Sequence, residues 1–197
     1  PGNNAFMIDG CVLKLNTNIN FETKPIYTVN IQTEDQGGAT FSRIFQINVL
    51  NANDAPVDLF FSETISNTIT IAENSEMNTI VGTLETEDED INDTHKYTFA
   101  NGSGTNNNDL FVIDENHIRL NTPLDYETKG FYYLYLQTED SEGAMYQRQL
   151  IIEVTDANDP PSGISLSDNN IDEELPVGSE VCSLISTDID KDNTFTY

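Results

Sequence analysis

The chain has 197 residues, of which 34 are acidic and 8 basic, and its formal net charge at pH 7 is −26. This charge argues against nucleic acid or an anionic membrane as partner, because both are polyanions that attract Lys and Arg. Aromatic and β-branched residues are nonetheless frequent and often alternate with polar ones, so the composition indicates folded β-structure rather than disorder.

The two cysteines, Cys11 and Cys182, are too few for a disulfide framework and lie at unrelated positions of the sequence pattern. We therefore expect no internal disulfide and treat each as a small buried apolar residue. No apolar run approaches the length of a membrane span. Membrane attachment is expected only through parts absent from this sequence.

The sequence repeats itself. Residues 6–56 correspond to 111–161, and residues 71–97 correspond to 171–197. The pattern predicts a piece of a longer tandem-repeat protein, in which the chain starts within one repeat and stops within another.

Three segments follow from this comparison. Residues 1–54 are predicted to be the C-terminal half of a repeat, residues 55–159 a complete repeat, and residues 160–197 the N-terminal part of a third. No segment of useful length shows a helical period.

The complete repeat is predicted to contain about seven short strands with turn residues between them. A domain of this size with seven strands and no helix is typical of an immunoglobulin-like β-sandwich. We therefore expect an all-β fold of such sandwiches in tandem. The predicted strands lie near 57–61 and 68–73 (together one interrupted strand), 79–86, 95–100, 110–113, 117–121, 131–138 and 144–154.

A hexapeptide closes each repeat. Residues 51–56 read Asn-Ala-Asn-Asp-Ala-Pro, and residues 156–161 read Asp-Ala-Asn-Asp-Pro-Pro. Each follows a β-patterned run and ends in proline, which cannot donate to a strand ladder. We interpret the first copy as the first junction between repeats and the second copy as the second junction.

Other acidic residues also recur at fixed places next to predicted strand ends, and the loops of a sandwich cluster at its two ends. So many carboxylates cannot converge in ionised form without a counter-charge, and the sequence offers few Lys or Arg beside them. Calcium takes six to eight oxygen ligands, which carboxylates, amides and backbone carbonyls supply. Magnesium demands stricter geometry, and zinc prefers His or Cys.

The ordered set Glu73, Asp125-Tyr126-Glu127, residues 156–161 and Asp188-x-Asp190 resembles the calcium motifs of cadherin repeats. The resemblance covers essentially the whole chain. It implies a non-enzymatic extracellular protein that mediates calcium-dependent cell or surface adhesion, in which Ca²⁺ rigidifies the linkers that join the sandwiches end to end. The implied partners are calcium and another cell-surface protein, a like molecule included, or a surface glycan.

The resemblance also implies three ions at each junction, with the following ligands. At the second junction they are Glu73, Asp125, Glu127, Asp156, the Ala157 carbonyl, Asn158, Asp159, the Pro160 carbonyl, Asp188 and Asp190, with Asp192 or Asn193 as a further candidate. At the first junction they are Glu22, Asn53, Asp54, Asp88, Asp90 and Asp140, with Asn92 or Asp93 as a further candidate.

The first junction departs from the pattern. Asn20 and Asn51 stand where the second junction has Asp125 and Asp156, so two negative charges are lost and weaker calcium binding is predicted. The chain also has no Trp, so nothing in it supports adhesion by tryptophan exchange.

Two alternatives stay open. Phe131, Tyr133 and Tyr135 alternate with core residues and are predicted to face outward, as in a carbohydrate-binding β-sandwich, although strand preference or packing under a loop also explains them. The other alternative is a passive extracellular spacer. His95 and His117 are predicted to be structural, because neither has a Cys or a second His at ligand spacing.

Overall fold

A computed structural model describes residues 3–64, 66–101, 106–191 and 193–197. Within these ranges the chain forms strands and two single-turn 3-10 helices, at Asn3–Ala5 and Asn108–Leu110. The prediction of an all-β fold is confirmed. The strands are β1 Phe6–Asp9, β2 Val12–Leu15, β3 Ile26–Glu34, β4 Thr40–Asn48, β5 Asp58–Phe61, β6 Thr68–Ala72, β7 Ile80–Glu87, β8 Lys96–Phe99, β9 Phe111–Asp114, β10 His117–Leu120, β11 Phe131–Glu139, β12 Met145–Thr155, β13 Gly163–Leu166 and β14 Leu184–Thr187.

The strands β5 to β12 correspond closely to the eight predicted segments of the complete repeat, but β5 and β6 do not form one interrupted strand. After β5 the chain turns, with the Thr64 N–H bonded to the Phe61 carbonyl at 3.2 Å. β5 then belongs to a sheet of order β5-β7-β10-β9, and β6 belongs to a sheet of order β6-β12-β11-β8. In the second sheet β6 runs parallel to β12, with Ile69 opposite Ile152.

The chain divides into two compact units. The first unit comprises Pro1–Leu59, Thr86–Tyr97 and Gln137–Gln147, and the second comprises Phe60–Glu85, Thr98–Leu136 and Arg148–Tyr197. The predicted repeat boundaries are boundaries in the sequence pattern and stay a prediction.

The core of the second unit lies between the two four-stranded sheets. Alternate residues of the strands point inward, as the period of two requires. At Gly82 an added Cβ would lie 2.7 Å from a ring carbon of Phe61 in one sheet and 2.9 Å from Ile69 in the other, so glycine permits the close approach. The β-sandwich prediction is confirmed. Fully buried side chains are Phe61, Leu84, Ile118 and Leu120 from one sheet and Leu134, Leu136, Leu150, Ile152 and Val154 from the other.

The first unit contains two hairpins, β1–β2 and β3–β4. Tyr27 and Val29 of β3 are buried, and the Tyr27 ring meets Phe6 edge to face at a centroid distance of 5.4 Å. Cys11 lies in the turn between β1 and β2 and is exposed, so the expectation of a buried cysteine is wrong there. The reason is that a side chain in a hairpin turn has no neighbouring strand to cover it.

Cys182 is half-buried, and both thiols are free. In the part of the chain that the structure describes, no helix has the length and hydrophobicity that crossing a bilayer demands.

Candidate metal centres

Five predicted ligands converge in the second unit, and we call them the second cluster: Glu73, Asp125, Glu127, Asp159 and Asp190. They form two groups that share Glu127, and within each group one ligand oxygen per residue lies within 4.8 Å of the others. The residues come from loops after β6, before β11, after β12 and after β14. The structure therefore brings together side chains that are far apart in the sequence.

Glu73 is the buried anchor of the second cluster, with 3% of its surface exposed. Its Oε2 accepts a hydrogen bond from the Tyr126 N–H at 2.9 Å, and its Oε1 accepts one from the Ala157 N–H at 2.8 Å. Hydrogen bonds to an ionised carboxylate are stronger than neutral ones. Glu73 thus fixes both the loop that contains Glu127 and the hexapeptide that contains Asp159.

Asp190 is tied to the hexapeptide through one of its two oxygens. Its Oδ2 accepts the Asp159 N–H at 2.7 Å, while Oδ1 is buried and has no hydrogen-bond partner among the described residues. A buried anionic oxygen without a partner is costly, and a bound cation removes that cost. The donor set of the second cluster therefore fits a hard divalent ion.

The electrostatics of the second cluster point the same way. Loss of solvation raises the pKa of the Glu127 carboxyl, and the charges of Glu73, Asp156 and Asp190 raise it further. Like charges that oppose one another's ionisation are relieved by a cation between them.

Asp156 and Asn158 line an open cleft of about 840 Å³ together with Glu127, Asp190 and Asn193. Asp188 contacts Asp190 through its Oδ1, which accepts the Asp190 N–H at 3.1 Å. The carbonyls of Ala157 and Pro160 stay predicted ligands, and Asp192 lies outside the described residues.

In the first unit, Glu22, Asp54 and Asp90 form a matching group with ligand oxygens within 4.8 Å of one another, which we call the first cluster. The Asp54 N–H donates to Asp90 Oδ2 at 2.7 Å. This bond repeats the one between Asp159 and Asp190 in the second cluster. The same backbone-to-carboxylate hydrogen bond is therefore present in both clusters.

Amides contact both clusters, since Asn74 Nδ2 donates to Asp159 Oδ1 at 2.8 Å in the second cluster. Among the described residues, an amide reaches Oδ1 of the second aspartate of the Asp-x-Asp pair only in the first cluster. Asn51 Nδ2 donates to Asp90 Oδ1 at 2.9 Å, and Asn20 Nδ2 donates to Glu89 Oε2 at 2.8 Å. The oxygen of Asp90 that corresponds to the unpartnered one of Asp190 is therefore already satisfied.

Asn53 and Asp140, both predicted ligands of the first junction, contact each other: Asn53 Nδ2 donates to Asp140 Oδ2 at 2.8 Å. Asp140 is 5% exposed, and its Oδ1 accepts the N–H groups of Glu142 and Ala144. The bond from Asn53, followed by the backbone N–H groups, lowers the pKa of Asp140.

Asp88 joins a different group, which sequence reasoning missed. His95 Nε2 lies 2.9 Å from Asp88 Oδ2, and the two side chains are 12% and 4% exposed. Asp93 completes this group, with ligand atoms within 4.8 Å of one another. Hydrogen bonds from Ser141 and from the Thr94 N–H lower the pKa of Asp93. The close spacing of the three residues in one loop was the available signal.

The predicted aromatic stripe is only partly open. Phe131 and Tyr133 are 49% and 36% exposed, and Tyr135 is partly covered. Lys129 Nζ lies 6.0 Å from the centre of the Tyr133 ring. Phe131 also lines the cleft that contains Glu127 and Asp190.

Residues 67–161, with Glu73, Asp125, Glu127 and Asp159 among them, match the family model described as Cadherin domain. These residues form a cadherin repeat. Human Protocadherin-23 is 30% identical over 205 residues, which cover 98% of this chain and 6% of that protein. Chicken (Gallus gallus) Cadherin-1 is 29% identical over 211 residues, which cover 98% of this chain and 23% of that protein.

Among solved structures, extracellular cadherin domains 1–4 of Protocadherin Gamma B7 match with a TM-score of 0.61 and 26% identity, covering 90% of this chain and 44% of that chain. The extracellular domain of Protocadherin GammaB4 matches with a TM-score of 0.60 and 25% identity, covering 90% and 28%. The chain thus spans a small part of the curated cadherins it matches. The cadherin relationship confirms the predictions of an extracellular location and of a non-enzymatic protein.

Proposed function

We propose that this chain is part of a tandem cadherin ectodomain that serves adhesion, in which Ca²⁺ at the repeat ends stiffens the linkers. The observation that carries the proposal is the second cluster. It gathers carboxylates from four loops and contains a buried Asp190 oxygen that has no partner among the described residues. The cadherin names of the relatives support the adhesive role.

Calcium is the ion that the donor set favours, since the second cluster offers only oxygen ligands. In this proposal Glu73, Asp125, Glu127, Asp156, Asp159 and Asp190 hold the inner ions, and Asn158 and Asp188 hold the outer one. The first cluster holds its ions more weakly, because Asn51 already bonds to Asp90. When bound, the ions supply positive charge that offsets carboxylate repulsion.

The magnitude of binding suits a mechanical role. Extracellular modules bind calcium with dissociation constants of roughly 10⁻⁴–10⁻³ M, so millimolar calcium contributes on the order of 1 kcal/mol per ion. This free energy is enough to restrict a linker, whereas the sandwich has its own apolar core. Calcium then changes the stiffness of the chain rather than the fold of each repeat.

Small-angle X-ray scattering with excess chelator and then with millimolar calcium tests the proposal. We expect the maximum dimension and the stiffness to increase with calcium. Asp159→Ala should remove most of the increase, and Glu180→Ala should not, since Glu180 is an exposed carboxylate outside both clusters. A wild-type profile that ignores calcium, or an equal loss in both variants, would contradict the proposal.

A second candidate function is binding of a surface glycan through the exposed aromatic residues. Phe131 lines the cleft beside Glu127 and Asp190, and exposed aromatic rings offer apolar surface for stacking. Retention on immobilised glycans tests this candidate. Phe131→Ala combined with Tyr133→Ala should abolish retention and leave calcium binding unchanged, and glycan binding that survives both substitutions rules the stripe out.

A further inference from the structure

The group formed by Asp88, Asp93 and His95 has a donor set unlike that of either calcium cluster. It adds an imidazole nitrogen to two carboxylates, and its ligand atoms lie within 4.8 Å of one another. Calcium and magnesium prefer oxygen ligands only, whereas imidazole suits zinc and neighbouring transition metals. The chemistry of the group therefore favours a borderline metal ion.

The carboxylates of this group are held in place by backbone donors. Asp88 Oδ1 accepts the Asp90 N–H at 3.0 Å, which leaves Oδ2 facing His95. Asp93 Oδ1 accepts the Thr94 N–H at 2.6 Å, and its Oδ2 lies 3.5 Å from the Ser141 N–H. The Ser141 side chain also donates to the Asp93 carboxylate. Asp88 Oδ2 and His95 Nε2 are thus paired with each other, and a metal ion bound between them would replace that hydrogen bond.

The distances suit a small tetrahedral ion. Two ligand atoms bound to zinc at about 2.0–2.1 Å in tetrahedral geometry lie about 3.3 Å apart. His95 Nε2 and Asp88 Oδ2 are 2.9 Å apart, so a movement of a few tenths of an ångström accommodates the ion. Both side chains are largely buried, so few other hydrogen-bond partners, water included, can reach them.

The next repeat provides an internal comparison, because Phe195 occupies the position that corresponds to His95. A phenylalanine fills the same place in the sequence pattern without a ligand atom. The imidazole at position 95 is therefore not required by the repeat pattern itself.

We propose that Asp88, Asp93 and His95 form a site for a borderline divalent metal ion such as Zn²⁺, separate from the second cluster. Three protein ligands leave one tetrahedral position for water. The site shares Asp88, and Asp93 as a further candidate, with the calcium set implied for the first junction, so the two ions compete for these residues there. The site goes beyond the proposed calcium function and does not depend on it.

Calorimetric titration of the full chain with Zn²⁺ in calcium-free buffer tests this site, with Co²⁺ absorption as a second readout. Wild type should bind one Zn²⁺ per chain at this group, and Co²⁺ should give the visible bands of tetrahedral coordination. His95→Phe, which copies Phe195, should weaken Zn²⁺ binding by at least about 100-fold, since loss of an outer-shell partner alone costs 10–100-fold. His117→Phe, at the other histidine of the chain, should leave it unchanged.

Asp93→Asn keeps the shape of its side chain and removes a charged ligand, so it provides a test that does not rely on His95→Phe folding. It should weaken Zn²⁺ binding by about tenfold or more. Zn²⁺ binding that is equal in wild type, His95→Phe and Asp93→Asn, or absent from wild type, would overturn the proposal. A parallel calcium titration of His95→Phe separates the two sites, because calcium at the second cluster should be unaffected.

Discussion

The first and second clusters share one backbone-to-carboxylate hydrogen bond and differ in how the second aspartate of the Asp-x-Asp pair is satisfied. The Asp54 N–H donates to Asp90 Oδ2 in the first cluster, at 2.7 Å. The Asp159 N–H donates to Asp190 Oδ2 in the second cluster, also at 2.7 Å. Asn51 donates to the remaining oxygen of Asp90, whereas Asp156 stands at that position in the second cluster and Asp190 Oδ1 has no partner among the described residues. One amide in place of one carboxylate thus satisfies the Asp90 oxygen whose counterpart on Asp190 has no partner among the described residues.

Removing the anchor of the second cluster should have the largest effect. Glu73→Ala leaves the N–H groups of Tyr126 and Ala157 without their acceptor, at a cost on the order of 3 kcal/mol in the free energy of unfolding. Urea unfolding in chelator measures this cost without any contribution from calcium.

Glu180→Ala is the control for that variant, since it removes an exposed carboxylate of the same charge. A loss of stability for Glu73→Ala that is no larger than that of the control would show that Glu73 does not anchor the loop of Glu127 and the hexapeptide.

Exchanging the residue types at positions 51 and 156 should raise the calcium affinity of the first cluster and lower that of the second. Asn51→Asp removes the donor to Asp90 and adds a charge, so the first cluster should bind calcium about tenfold more tightly, because ligand charge tunes affinity. Asp156→Asn should weaken the second cluster by a similar factor. Calcium calorimetry of both variants checks this, and affinities that do not change in opposite directions would refute the role given to Asn51.

In chelator, acid should change the stability of the native state in opposite directions through two carboxylates. One is Glu127 of the second cluster, and the other is Asp140, which bonds to Asn53 of the first hexapeptide. The pKa of Glu127 is raised above its ordinary value of 4.5, so the native state gains stability as pH falls through the raised value. The pKa of Asp140 is lowered below its ordinary value of 3.8, so its stabilising effect is present above pH 3.8 and is lost as pH falls through the lowered value.

Thermal unfolding midpoints test this pair of effects when they are measured in chelator from neutral pH to pH 3. Glu127→Gln should remove the gain at mildly acidic pH, and Asp140→Asn should remove the loss at the acidic end. If either variant keeps the pH dependence of wild type, the corresponding carboxylate is not its source.

Much of this architecture follows from local sequence pattern. The strands of the complete repeat were predicted because their alternating residues and turn residues are local signals, as in β11, where Leu134 and Leu136 are fully buried. The convergence of Glu73, Glu127 and Asp159 was predicted from the recurrence of their motifs and from the resemblance to cadherin repeats, which the family match confirms.

Other features depend on contacts that sequence pattern does not encode. β6 leaves the sheet of β5 because it pairs with the distant β12, in parallel. The contact between His95 and Asp88 depends on a loop in which Asn92 adopts a left-handed conformation, with φ of 71°. The orientation of the Asp190 side chain decides which of its oxygens lacks a partner. The role of Asn51 becomes visible only when its bond to Asp90 is compared with the second cluster, where Asp156 stands at that position.

A crystal structure of the chain grown in millimolar calcium, with anomalous data to identify the ion, tests the central claim most directly. The account predicts a calcium ion in contact with Asp190 Oδ1 at about 2.3–2.6 Å, with Glu127 and Asp159 also among its ligands. A calcium-soaked crystal in which Asp190 Oδ1 contacts only protein or water would contradict it.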